Sequence, residues 1–334
     1  MWLLESSSGD KGEITLRGPV ENNTWQRMSA EDEGCTLDRC RTVMAGKCPF
    51  YKARKAAEAA HVLVVNHALL LSDAVSDNHV LPEYRHLVLD EAHHLEEATT
   101  NGLSFRLDEA TLNRRLADLG GPKRGLLGDL MNNVQTSAPE KDAKRLEAFV
   151  KNISAATSAM EIHISALFER LREFFSDANG DRSTDYLNQL RLTPELRGKH
   201  RFEQVQAAWN TLKEFFEVIS GAMLRLGEVL ARLEPYHIPD YDDLVNSARA
   251  AARYLDEIES QLNAFILAPD DNVIYWINVG QNIAYLSIQS APLHIGPMVE
   301  KYLWNAKEAV IMTSATLRAD ENFGYIQERL HAHN

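Results

Sequence analysis

Asp90 and Glu91 stand side by side at the end of the run His86-Leu87-Val88-Leu89, with Ala92 and His93 after them. An apolar strand that ends in two carboxylates puts both at the strand's C-terminal edge, where α/β sheets bind ligands. In a nucleotide-hydrolysing site the first carboxylate holds Mg²⁺ and the second polarises the attacking water. That assigns metal binding to Asp90 and water activation to Glu91, with His93 one turn on, near the γ-phosphate. The competing reading is structural: two acids at a helix N-terminus, favoured by the helix dipole.

Thr313-Ser314-Ala315-Thr316-Leu317 follows the apolar run Ala309-Val310-Ile311-Met312. Small hydroxyls at a strand's end can hydrogen-bond a neighbouring carboxylate or imidazole, although such residues are also ordinary in turns. All three cysteines fall in one stretch, Cys35-x4-Cys40-x7-Cys48-Pro49. Three thiols in 334 residues make no disulfide framework and point to a reducing compartment, hence a cytoplasmic location. Their spacing suits an iron–sulfur cluster better than the tighter pairs of zinc sites, though a cubane takes four thiolates. Three free thiols, or a zinc loop completed by His61, are the alternatives.

The net charge of −13 disfavours a general polyanion binder, but the charge is uneven. Between Asp38 and Ala60, Arg39, Arg41, Lys47, Lys52, Arg54 and Lys55 outweigh Asp38 and Glu58 by +4. This segment is a solvated basic face or a nucleic-acid contact, with Trp25, Phe50 and Tyr51 as stacking or packing aromatics.

Elements must position these groups. Hydrophobic residues at 45% with 17 Gly and 11 Pro fit a globular chain that is not turn-rich β. No apolar run is long enough to cross a membrane, and the N-terminus lacks the pattern of a signal peptide. Residues 1–34 read as loop with short elements, and Lys52 to Ala60 as a helix. His61-Val62-Leu63-Val64-Val65-Asn66, 86–90 and 309–313 read as parallel strands buried on both faces. From about residue 108 helical periodicity takes over. Phe202, Val205, Trp209, Leu212, Phe216, Ile219, Met223, Leu226, Leu230 and Leu233 alternate spacings of 3 and 4, an unbroken seam that must pack against other helices. Residues 146–175 and 244–265 carry similar stripes, with breaks near 177–181 and 235–239. Thr193-Pro194 reads as an N-cap followed by Pro at the first helical position. Residues 273–278 and 284–288 flank a turn and read as a hairpin. Met298 to Trp304 reads as a helix. The layout is α/β, then a helical bundle, then α/β.

Together, Cys48-Pro49-Phe50-Tyr51, Val64-Val65-Asn66-His67-Ala68-Leu69-Leu70-Leu71, Asp90-Glu91-Ala92-His93-His94-Leu95-Glu96-Glu97 and Thr313-Ser314-Ala315-Thr316-Leu317 resemble, in order and separation, the superfamily 2 DNA helicases related to XPD and DinG. The resemblance implies α/β architecture with a large α insertion. A partial RecA-like parallel-sheet domain is interrupted by an antiparallel helical arch and preceded by a partial iron–sulfur domain. It divides the chain into 1–55 (cluster domain), 56–108 (motor, first part), 109–269 (arch) and 270–334 (motor, second part). It implies ATP with Mg²⁺ as cofactors, single-stranded DNA as partner, no membrane, and 5′ to 3′ translocation. Asp90, Glu91 and His93 would then lie in motif II, Ser314-Ala315-Thr316 would form motif III, and Cys35, Cys40 and Cys48 would be three ligands of a [4Fe–4S] cluster.

The sequence departs from that pattern in three ways. It contains no phosphate loop of the type Gly-x-x-x-x-Gly-Lys-Ser/Thr, no fourth cluster cysteine and no second motor domain. The expectation is an internal fragment, inactive alone, whose partners include the missing parts of the same polypeptide. The alternative is a non-enzymatic helical module that binds DNA or protein and descends from a degenerate motor.

Overall fold

The computed structural model describes residues 6, 8–18, 21–22, 24–25, 29, 41, 45–75, 81–179, 188–280, 282–318 and 322–332. In chain order they form α1 (Pro49–Ala59), α2 (His67–Val75), β1 (His86–Leu89), α3 (Leu95–Gly102), β2 (Phe105–Asp108), α4 (Glu109–Leu119), α5 (Gly125–Ser137), α6 (Glu140–Asn179), β3 (Gln189–Arg191), α7 (Pro194–Arg197), α8 (His200–Leu233), α9 (Tyr241–Ile266), β4 (Val273–Val279), β5 (Leu286–Pro292), α10 (Gly296–Val299), β6 (Ala309–Met312) and α11 (Gly324–Leu330). The chain is α/β and largely helical, with one parallel and one antiparallel sheet. Among the described residues no helix is long and apolar enough to cross a membrane. The chain divides into two compact units, Phe105–Ser290 and Met1–Ser104 with Ala291–Asn334.

The first unit is built on the seam. From Phe202 to Leu233 the ten seam residues are at most 5% exposed. Its partners show the packing direction. Trp209 reaches Asn263 and, eleven residues on, Ser220 reaches Asp256, so α8 and α9 run antiparallel. Phe174 meets Phe202 and His163 meets Phe215, so α6 and α8 are antiparallel as well. Thr193 caps α7 by accepting from Leu196 N–H, with Pro194 at the first helical position, as the sequence predicts. Arg197 then donates to the carbonyls of Phe265 and Ile266 at the end of α9, lying over the rings of Phe202 and Tyr275. A cation there satisfies orphan carbonyls and complements the helix dipole.

The antiparallel sheet, in the order β2-β5-β4-β3, belongs to this helical unit. The expected hairpin is present as β4 and β5, which contribute Tyr275, Ile277, Leu286 and Ile288 to the same apolar core as the helices. β2 pairs antiparallel with β5 through Phe105↔Ser290 to Asp108↔Ser287, which brings the two ends of the excursion together.

The second unit holds the parallel pair β1 and β6, in register from His86↔Ala309 to Leu89↔Met312. Leu89 packs with Leu70, Leu71, Leu95, Val299, Leu303 and Leu330 in a small separate core. The helix expected over 298–304 is α10 followed by a π-helical turn, Glu300–Trp304.

Burial differs from expectation in two places. His61 to Asn66 forms no strand, and Val62 and Val64 are 81% and 90% exposed. In β1 and β6, Val88 is 62% and Ile311 59% exposed. A run of apolar residues is buried on both faces only when neighbouring strands and helical layers cover it. Among the described residues the parallel sheet has two strands.

Candidate functional site

The parallel register carries beyond the last paired strand residues. Thr313 N–H donates to Leu89 O (2.8 Å) and Ala92 N–H donates to Thr313 O (3.0 Å). One residue of the Thr-Ser-Ala-Thr turn, Thr313, is thus held by the backbone on both sides of Asp90 and Glu91. Side chains tie the same two turns together. Thr313 Oγ1 donates to Asp90 Oδ1 at 2.9 Å, and the same oxygen accepts the N–H of Glu91 at 3.0 Å. His67 Nε2, at the start of α2, lies 3.0 Å from the Asp90 carbonyl oxygen and donates to it.

Glu91 takes a left-handed conformation, φ 48° and ψ 43°. For a residue with a Cβ this costs about 1–2 kcal/mol. Its carboxylate does not cap the short turn Ala92–His94 that follows. It lies 3.3 Å from His93 Nδ1, which in turn is 2.7 Å from Ser314 Oγ. Thr316 N–H donates into that hydroxyl oxygen at 3.3 Å. Ser314 can therefore accept from a protonated Nδ1 or donate to an unprotonated one. Glu91 thus makes no cap hydrogen bond to the turn that follows, whereas Asp90 accepts both a backbone N–H and the Thr313 hydroxyl.

The structure brings together Asp90, Glu91, His93 and Ser314, with Ala315 and Thr316 in the same turn. The bond from Thr313 to Asp90 is of the hydroxyl-to-carboxylate kind that the Thr-Ser-Ala-Thr motif suggests, whereas the bond from His67 to the Asp90 carbonyl, 23 residues away, has no signal in local spacing.

Asp90 offers an exposed carboxylate beside a hydroxyl, a hard oxygen set suited to Mg²⁺. This metal is commonly held by one or two carboxylates plus water and substrate phosphates. Among the described residues no group of three or more His, Cys, Asp or Glu is placed to hold a metal by itself.

The basic segment is described in part. Cys35, Arg39 and Cys40 lie outside the described residues. Cys48 is a half-buried free thiol preceding α1. Arg41, Lys47, Lys52 and Lys55 are exposed, Arg54 and Tyr51 half-buried, and Phe50 is 37% exposed. Lys52 and Lys55, three apart, share a face of α1. Lys55 pairs with Glu58 at 2.6 Å, which raises its pKa through that hydrogen bond and charge.

The parallel strand pair ends in Asp-Glu-Ala-His on one strand and Thr-Ser-Ala-Thr on the other, and the two turns are joined by Thr313 to Asp90 and by Ser314 to His93. Comparison with known proteins finds similarity to DinG proteins. Residues 30–112 match the family described as DEAD_2. The chain is 25% identical over 342 residues to a 3′-5′ exonuclease DinG of Bacillus subtilis, covering 99% of this chain and 34% of that protein. It is 25% identical over 326 residues to an ATP-dependent DNA helicase DinG of Salmonella typhimurium, covering 92% of this chain and 41% of the other. An ATP-dependent helicase DinG of Mycobacterium tuberculosis is 39% identical over 125 residues, 36% of this chain and 18% of that protein. The chain thus spans about a third to two fifths of the length of the curated relatives it matches end to end.

Proposed function

We propose that the chain is part of an ATP-driven motor that moves 5′ to 3′ on single-stranded DNA. Residues 56–104 and 291–334 supply part of its first RecA-like domain, 105–290, whose core includes the β4–β5 hairpin, its helical arch, and 1–55 part of an iron–sulfur domain. The observation that carries the reading is the coupling of the two turns, Thr313 to Asp90 and Ser314 to His93. Asp90 would hold the Mg²⁺ of the nucleotide, and Mg²⁺ would neutralise charge on the phosphates. Glu91 would orient and polarise the attacking water. His93, bound to Ser314, would pass a change at the γ-phosphate to the turn after β6.

Two features bear on what else the motor needs. The sequence has no phosphate loop, so the β- and γ-phosphates lack their usual cradle. The apolar surface at Val88 and Ile311 is the kind that further strands or a covering layer bury. The missing phosphate-loop segment would cover this face and complete the site. The chain alone is therefore expected to show no DNA-stimulated ATP hydrolysis above background. A turnover that disappears in Glu91→Gln would overturn this part of the proposal.

Cys35, Cys40 and Cys48 would ligate three irons of a [4Fe–4S] cluster, leaving one iron open and the cluster labile. Protein purified in air should hold little iron. Stoichiometric zinc without iron in anaerobic preparations, including one extended upstream to the next cysteine, would refute the cluster.

A further inference from the structure

The helical unit contains a cleft that the proposed hydrolysis does not use. It measures about 360 Å³ and lies where the turn between α4 and α5 faces the middle of α6. Lys123 and Arg124 line it from the turn, and Ser154, Ser158 and Glu161 line it from α6. The three α6 residues, spaced four and three apart, share one helix face. Leu116 and Pro122 add apolar surface.

The turn holds its cations on a fixed backbone. Gly121 and Arg124 exchange both backbone hydrogen bonds, at 2.9 and 3.2 Å. Gly120 has φ 72°, and a Cβ there would stand 2.0 Å from Arg124 O, so the chain passes itself at a distance that excludes any side chain. Both cations are exposed, and among the described residues neither they nor Glu161 engage in an ion pair or side-chain hydrogen bond.

Two unpaired cations beside an unpaired carboxylate and two serine hydroxyls ask for a ligand that carries both an anion and a hydrogen-bond donor. A bare phosphate would satisfy Lys123 and Arg124 but meet repulsion from Glu161. A nucleotide carries both groups: a phosphate for the cations and an exocyclic base amine for the carboxylate. The volume falls at the small end of ligand pockets, in keeping with a single nucleotide. We infer that this cleft holds one nucleotide of single-stranded DNA, with its phosphate on Lys123 and Arg124 and its base amine on Glu161. The inference rests on the proposal that single-stranded DNA is the partner, and it places a contact on the helical unit, apart from the carboxylate turn.

The test measures binding of short fluorescent oligo-dC and oligo-dT to the full chain over a range of salt, with melting curves to verify folding. Oligo-dC, which has the amine that oligo-dT lacks, should bind roughly tenfold tighter, as for a hydrogen bond to a charged group. Glu161→Gln should abolish that preference. Lys123→Gln with Arg124→Gln should weaken both oligonucleotides and lower the slope of log K against log salt by about 0.7, the value for one lost phosphate contact on a single strand. Lys141→Gln with Lys144→Gln, which removes the same charge elsewhere on the unit, should leave the slope near that of the parent.

If the chain binds DNA but is indifferent to Lys123, Arg124 and Glu161, the DNA reading stands and this site falls. Equal slopes in the two double variants likewise overturn the site. Failure of the parent to bind DNA at all overturns both. Competition by free dCMP as tight as by oligo-dC would make this a mononucleotide site, and equal competition by poly-glutamate would make it a protein contact. Either result refutes the inference.

Discussion

The helical unit and the strand unit follow the same rule of burial with opposite outcomes. In Phe105–Ser290 the seam residues of α8 are at most 5% exposed, covered by α6, α9 and the antiparallel sheet. In the other unit Val88, Ile311, Val62 and Val64 are more than half exposed, although their pattern is that of a parallel sheet covered on both faces. The helical unit's hydrophobic pattern is satisfied by its own elements. The strand unit's pattern calls for neighbours that the described residues do not supply. A bundle can complete its core within one stretch of chain, whereas a parallel sheet assembles strands that are distant in sequence.

Truncating the seam should have the largest effect. Trp209→Ala should destabilise the helical unit by about 3–5 kcal/mol in urea unfolding. A mutant that unfolds at the parent's midpoint would mean that Trp209 is not core. Next in size is Arg197→Met, which keeps much of the apolar stem but removes the donors to Phe265 and Ile266. Losing hydrogen bonds from a charged group should cost about 1.5–3 kcal/mol.

The strand unit should respond to alkali through Tyr84, whose pKa is pushed up to about 12 by burial and by the charge of Asp73. Because its folded pKa exceeds the unfolded value near 10, the folded state retains a proton that the unfolded state has released. The stabilisation is complete below pH ~10 and is lost as the pH rises through about 12. Tyr84→Phe should flatten that part of the pH–stability curve, and an unchanged curve would refute the assignment. The smallest effect is expected at the exposed face: Ile311→Thr should shift the stability of the isolated chain by less than about 0.5 kcal/mol. A much larger loss would mean that the chain itself covers this face.

The same contrast governs what could be read from sequence. The long helices are legible because 3-and-4 spacing records burial by adjacent helices, and α6, α8 and α9 each contain the stripe read for them. Of the strands, β1, β4, β5 and β6 are legible as β-rich runs. β2 and β3 are not: they are four and three residues long and owe their form to pairing with β5 and β4. Residues 61–66 have strand composition, but no pairing partner appears among the described residues. In the site, Asp90, Glu91, His93 and Ser314 are legible from their motifs. The contact of Thr313 is legible as a strand-end hydroxyl able to bond a neighbouring carboxylate, but the role of His67 is not, because a bond across 23 residues leaves no mark on local spacing.

If the turn at Asp90 and Glu91 is one half of a nucleotide-hydrolysing site, as proposed, its phosphate seat must come from other residues. DNA-stimulated ATP hydrolysis should therefore be assayed for residues 1–334 alone and joined to a phosphate-loop-bearing segment from a similar protein. The account predicts background rates for the chain alone, hydrolysis in the joined protein, and loss of that hydrolysis in Glu91→Gln. Hydrolysis in the joined protein that survives Glu91→Gln, or hydrolysis by the chain alone that Glu91→Gln abolishes, would contradict it.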